Sequence, residues 1–184
     1  MPSGRTHDRI TLLSLPPLAV LAYLLTRRGE WVLWFSGAYL FSGLMFGPDL
    51  DIYSLQYKRW GIVRWIWLPY QSCLKHRSFF SHGFLVGTII RLMYLLIIVL
   101  ILAIFGVAIA QFIWGFNWNW RNFTENSFNL LTSHYLGEGI TTFIGLELGA
   151  MSHSISDRLV SNFKRSQKKP KKRRSQVKKI TRRN

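Results

Sequence analysis

Cysteine and acidic residues are scarce in this chain. Its 184 residues include one cysteine, Cys73, and 8 Asp plus Glu against 24 Lys plus Arg, for a formal charge of +16. A single cysteine excludes a disulfide scaffold. It also excludes a zinc module built on two or four thiolates of one chain. Apolar surface is plentiful: 49% of residues are hydrophobic and 15% aromatic. That is too much for the disorder that high charge with few apolar residues implies. The length allows one domain, at most two small ones.

The charge is unevenly placed. Residues 164–184 carry 12 of the 24 basic residues and no acid. Residues 1–163 then hold 12 basic against 8 acidic residues, a balance of +4. The expected organisation is an apolar, all-α membrane-embedded domain over 1–163, followed by a disordered basic tail over 164–184.

Residues 92–114 form a run of 23 without a charged side chain. As a helix this run spans roughly 34 Å, enough to cross a hydrocarbon core of ~30 Å. Three weaker apolar segments flank it, at 10–26 (with Pro16-Pro17), 31–47 and 139–152 (apolar apart from Glu147). Beside one strong span these read as further spans, giving a polytopic helical bundle of about four. The stretch 1–8 lacks a secretory cleavage pattern, so the first apolar run is expected to be retained.

Lys and Arg set the expected orientation. Segment 52–81 holds Lys58, Arg59, Arg64, Lys75 and Arg77, and the tail holds twelve more, whereas 115–138 holds Arg121 alone. The positive-inside rule places both termini and 52–81 in the cytoplasm of a multi-pass inner-membrane protein. Arg27 and Arg28 oppose this but are outnumbered. Trp114, Trp118 and Trp120 suit the outer interface. Four spans are few to enclose a site, so a homodimer is plausible.

Mapped onto that topology, His7, Asp8, Asp49, Asp51, His76, His82, His153 and Asp157 all fall at cytoplasmic span ends, and His134 falls on the other side. Imidazole with carboxylate is the mixed ligand set of zinc, manganese or iron sites and needs no thiolate. His153 and Asp157 are spaced i, i+4 and share a helix face. Asp49 and Asp51 follow Gly47-Pro48 in a turn, with both carboxylates near one loop. His76 and His82 are six apart, which places His76 in a loop and His82 near the start of a span. The candidate ligands are His7, Asp49, Asp51, His76, His82, His153 and Asp157. Taken singly, Asp8 or Asp49 could be no more than a helix cap.

Other signals are less specific. Gly83-x-x-x-Gly87 and Gly145-x-x-x-Gly149 have the spacing of close helix packing in membranes. Arg91 and Glu147 lie at similar depth and either pair, or Arg91 snorkels to the interface. The stretch 57–70 interleaves basic and large aromatic residues. This suits a lipid surface, with stacking on nucleic-acid bases less favoured.

The opening Met1-Pro2-Ser3-Gly4-Arg5-Thr6-His7-Asp8, the Gly47-Pro48-Asp49-Leu50-Asp51 element, Tyr57-Lys58-Arg59-Trp60-Gly61 and His76-Arg77-Ser78-Phe79-Phe80-Ser81-His82-Gly83 together resemble bacterial metal-binding proteins of the domain-of-unknown-function 2227 class. The Pro-Asp-x-Asp, His-Arg-x-x-x-Ser-His and Gly149-x-x-x-His153-x-x-x-Asp157 elements are also similar to membrane-bound metal-dependent hydrolases. The resemblance covers about residues 1–160 and implies metal binding and hydrolysis.

Two functions of different class follow. One is a metal-dependent hydrolase at the cytoplasmic face, holding one or two divalent ions, zinc first, with manganese or iron as alternatives. In it Asp8 or Asp51 is the base and Arg77 holds a substrate phosphate. A membrane phosphoester is then the expected substrate. The other is a non-enzymatic scaffold or metal carrier whose tail binds anionic lipid headgroups or RNA phosphates. A transporter fits less well, because the polar groups gather at one face and not at the midplane.

Overall fold

A computed structural model describes residues 4–76 and 78–156. Among the described residues the structure is all-α, with no strand. Two long helices open the chain: α1 (Gly4–Thr26) and α2 (Gly29–Leu44). A 3₁₀ turn, Pro48–Asp51, follows, then α3 (Leu55–Lys58), a 3₁₀ run Gly61–Trp67, α4 (Leu68–Cys73) and α5 (Phe79–His82). The long α6 (Val86–Trp114) leads to α7 (Trp120–Ser133) and to α8 over 136–156. The expected tail at 164–184 and its boundary at 163 lie outside the described residues.

Helix ends follow local chemistry. Ser54, Ser78 and Asn119 cap α3, α5 and α7 by accepting from the backbone N–H three residues on, which satisfies one orphan donor of each first turn. Gly115, at φ +65°, ends α6 in the left-handed conformation that glycine adopts without a Cβ clash. Helix α1 runs through Pro16-Pro17. One turn before, the Ser14 hydroxyl lies 2.6 Å from the Ile10 carbonyl and 2.6 Å from the Tyr39 hydroxyl, tying α1 to α2.

Glycines bring α8 onto α2. A Cβ at Gly149 would lie 2.5 Å from the Tyr39 carbonyl, and one at Gly145 would meet the Phe35 carbonyl. The Gly145-x-x-x-Gly149 spacing is therefore a packing face, and the Ser42 hydroxyl donates to the Leu146 carbonyl across it at 2.5 Å. Gly83 and Gly87 serve a different purpose. Gly83 ends α5 and Gly87 lies in the first turn of α6, where a Cβ would lie 2.7 Å from the Ser81 carbonyl.

Two described helices are long and apolar enough to cross a bilayer, α1 and α6. Their apolar faces are largely exposed, with Phe112 in α6 92% accessible. Helix α2, at 16 residues, extends roughly 24 Å, short of a ~30 Å hydrocarbon core. Helix α7 buries no residue. Its Trp120, Phe123, Phe128, Leu130 and Leu131 fall on one face at helical spacing, with Arg121, Glu125 and Asn129 opposite.

The core sits under the short elements between α2 and α6. Trp67, fully buried, packs edge-on against Phe46, Trp60 and Tyr70, with ring centroids 5.1–5.7 Å apart. Burial and edge-to-face contact of such rings dominate the energetics of a small core. The aromatic-basic stretch thus divides. Tyr57, Ile66, Trp67 and Tyr70 enter the core, while Ile62, Val63 and Trp65 remain exposed.

Candidate metal centre

The centre is built around Leu50. In a 3₁₀ turn successive side chains point about 120° apart. Leu50 has no exposed surface and belongs to the aromatic core. Its burial turns Asp49 and Asp51 to either side, towards the histidines. Gln71 reinforces the turn by donating to the carbonyls of Leu50 (3.0 Å) and Ile52 (3.2 Å).

A chain of short polar contacts links the histidines through these carboxylates. His76 Nδ1 lies 2.8 Å from Asp51 Oδ1. His82 Nδ1 lies 3.9 Å from Asp51 Oδ2, and its Nε2 lies 3.7 Å from Asp49 Oδ1. His153 Nε2 lies 3.1 Å from the other Asp49 oxygen, Oδ2. The His7 ring stacks on His153 with centroids 3.9 Å apart and 23° between planes. Thus α1, the Pro48–Asp51 turn, the 74–76 loop, α5 and α8 each deliver a candidate ligand to one end of the bundle. His134, at the end of α7, lies outside this set.

The donor set fits a divalent cation on two observations. One ligand atom each of Asp49, His76 and His82 lies within 4.8 Å of the others. Several of the site's buried atoms also lack a hydrogen-bond partner: His76 Nε2, His82 Nε2, Asp51 Oδ2 and both ring nitrogens of His153. The 3.1 Å approach of His153 to Asp49 is close but lacks hydrogen-bond alignment. Buried polar atoms without partners are costly, and a cation among Asp49, His76 and His82 would satisfy the lone pairs that meet there.

The second contacts are those of ligating histidines. Asp51 meets Nδ1 of His76, and the Ser81 hydroxyl lies 2.7 Å from His82 Nδ1. Each contact orients a ring so that its Nε2 faces the site. Burial by itself raises the Asp49 carboxyl, but polar contact and charge from His153 and His82 outweigh it and hold Asp49 far below the usual carboxylate range. The Tyr70 hydroxyl is pushed up to about 12 by burial, against the pull of Arg91 and with the aid of Asp51, and stays a neutral phenol.

The sequence-predicted residues are distributed as follows. His7, Asp49, Asp51, His76, His82 and His153 come together. Asp8 takes both guanidinium nitrogens of Arg59, at 2.9 and 2.5 Å. It still borders a small cavity of about 30 Å³ shared with His7, Asp49, Gln56 and His153. Arg77 and Asp157 lie outside the described residues.

Sequence reasoning missed Arg59, Gln56 and Ser81 as supports. Arg59 also donates to the Leu44 carbonyl (2.8 Å) and Gln56 to the Gly43 carbonyl (3.0 Å), fixing α3 against the end of α2. The interleaved basic and aromatic pattern around Arg59 read as a lipid surface, and only the acid eight residues from the N-terminus marks its partner. Ser81 stood beside His82 in the motif, which was the available signal.

No curated protein and no solved structure matches the chain. The family model for an uncharacterized metal-binding protein (DUF2227) matches residues 2–167, and the chain belongs to that family.

Proposed function

We propose that this protein is a membrane-embedded, metal-dependent hydrolase that cleaves a phosphoester at the cytoplasmic face. The observation that carries the reading is the gathering of Asp49, His76 and His82 at one end of the bundle, where buried imidazole nitrogens and one Asp51 oxygen lack hydrogen-bond partners.

The ligand arrangement favours one ion position among the described residues, where an atom each of Asp49, His76 and His82 lies within 4.8 Å of the others. Asp49 presents Oδ1 to His82 and Oδ2 to His153. His76, His82 and Asp49 would hold the ion, with His153, and the His7 ring stacked on it, beside the site as candidates for a second. The mixed imidazole and carboxylate set suits zinc first, then manganese or iron. When bound, such an ion polarises a phosphoryl oxygen and makes water acidic enough to act as a nucleophile near neutral pH. The protein's own residues do the rest. Asp51 fixes His76 and offers a second, unpartnered oxygen as a proton acceptor. Asp8 holds Arg59 and is the weaker candidate for base. Arg77, which follows His76 in the sequence, would grip a phosphate.

The membrane reading draws on the exposed apolar faces of α1 and α6. A soluble core helix of that composition would be covered by its neighbours. Helix α8 and the shorter α2, which a locally thinned bilayer would accommodate, would complete a bundle of about four spans, with α7 along the outer interface. The termini and the site would then face the cytoplasm, and the tail would rest on anionic headgroups. A pair of protomers would widen the protein shell around the site.

Turnover of a short-chain phosphatidate by the purified protein in detergent tests the reading. Activity that disappears with a chelator and returns with zinc or manganese is expected. A protein that retains its metal yet turns over no phosphoester would instead be a metal carrier.

A further inference from the structure

Beside the metal centre, a cavity of about 70 Å³ opens between the Pro48–Asp51 turn, α6 and α8, bordered by Ser81, His82, Thr88, Arg91, Glu147 and Ser154. It exceeds the roughly 10–15 Å³ that one water needs. Two opposite charges face it, and both are nearly inaccessible: Arg91 is 1% exposed and Glu147 is 6% exposed.

These two charges form no direct ion pair among the described residues. Arg91 Nη1 donates to the Ser81 carbonyl at 2.9 Å and Nη2 to the Thr88 hydroxyl at 3.0 Å, while its Nε–H makes no aligned hydrogen bond and the Tyr70 hydroxyl lies close to the guanidinium. Glu147 Oε1 accepts from the Leu85 N–H at 3.0 Å, and Oε2 has no partner. Leu85 itself has φ +60° and ψ −50°, with the Val86 N–H donating to the Phe84 carbonyl at 2.6 Å. That is a tight three-residue turn, strained for any residue with a side chain. Its consequence is a backbone N–H aimed at a buried carboxylate.

A buried guanidinium and a buried carboxylate that stay apart, each with a polar atom to spare, leave room for a group that satisfies both. Such a group must offer acceptor oxygens to Arg91 and a proton to Glu147. An ionised carboxylate or sulfate has acceptors only and would face Glu147 as a like charge. A phosphate carrying one proton has both, and guanidinium matches its geometry.

We infer that this cavity is a binding subsite for a protonated phosphate or phosphomonoester, with Arg91 as its donor and Glu147 as the acceptor of its P–OH. The substrate class rests on the hydrolase reading above, while the subsite itself rests on these buried groups alone. His82 forms part of the wall, so a monoester held here lies next to the metal centre.

Calorimetric titration of the full-length protein in detergent tests this, with inorganic phosphate and sulfate as probes and metal content measured on the same samples. Wild type should bind phosphate saturably and sulfate more weakly, by about tenfold or more. Arg91→Met should weaken phosphate by a similar factor, with Arg91→Lys intermediate. Glu147→Gln should narrow the gap between the two anions. A melting curve for each variant separates loss of binding from loss of fold, and the Glu147→Gln comparison stands even if Arg91→Met does not fold. Short-chain phosphatidate tighter than phosphate assigns the subsite to a lipid monoester; equal or weaker binding assigns it to a soluble one.

Wild type that binds phosphate and sulfate alike, or binds neither, overturns the subsite. So does a folded Arg91→Met protein with unchanged phosphate affinity. Phosphate binding that depends on Arg91 in a protein without metal would leave the subsite standing and sink the metal reading.

Discussion

At the residue scale the centre depends on contacts that are not themselves ligands. Leu50 has no donor atom, yet its burial aims the two flanking carboxylates. Leu50→Ala should cost about 2–5 kcal/mol, the usual range for truncating a buried leucine. It should also lower metal affinity, because the Pro48–Asp51 turn loses its anchor. Thermal melts and metal titration of the same sample check both parts. Asp51→Asn keeps the shape but replaces the oxygen that meets His76 Nδ1 with an ambiguous amide. Loss of such an orienting contact weakens metal binding about 10- to 100-fold, readable by competition with a chromophoric chelator. An unchanged affinity would mean that His76 is oriented by something else. His7, Asp49, Asp51, His76, His82 and His153, all singled out in the sequence, lie near one another in the structure, while Asp8 turns to Arg59 and Asp157 lies outside the described residues. Their supports were not legible there. Arg59 and Asp8 are 51 positions apart, and a pairing across that distance has no local signature.

At the element scale, the approach of α8 to α2 decides whether His153 reaches Asp49. Gly145 and Gly149 leave room for the α2 backbone. Gly149→Val would push the helices apart at Tyr39 and Ser42, with overpacking of about 1–3 kcal/mol. The expected result is a lower melting temperature together with weakened metal binding, since His153 lies one turn further along α8. A destabilised variant with full metal affinity would separate the packing face from the centre.

The small-residue spacing of this face was visible in the sequence, and so was α6, whose uninterrupted apolar run admits no other regular structure of that length. The segment between α2 and α6 was harder to read. It breaks into short helices and 3₁₀ turns whose aromatic side chains alternate between core and surface, and no single period describes them. The same ambiguity hid the Leu85 turn, where a leucine takes a conformation that sequence reading reserves for glycine.

For the whole molecule, charge asymmetry and the exposed apolar helices together make a prediction about sidedness. Cys73 is the chain's single cysteine and is exposed, at the end of α4 in the segment proposed to face the cytoplasm. In intact spheroplasts it should react with a membrane-permeant maleimide and resist an impermeant one until the membrane is opened. Labelling by the impermeant reagent in sealed cells would invert the topology and move the centre to the opposite face. The formal charge of +16 falls mostly in residues 164–184. Divided along the chain, it leaves a body nearly balanced in charge, in which Asp49 and Asp51 lie beside the histidines.

The central claim is that one end of this bundle binds metal through residues from α1, the Pro48–Asp51 turn, the 74–76 loop, α5 and α8. Elemental analysis of the detergent-purified wild type beside the combined His76→Ala, His153→Ala variant tests it most directly. The account predicts one to two equivalents of a divalent transition metal in the wild type and almost none in the variant, with both proteins folded by circular dichroism. Full occupancy in the double variant, or a wild type that holds no metal after reconstitution with zinc, manganese or iron, would contradict it.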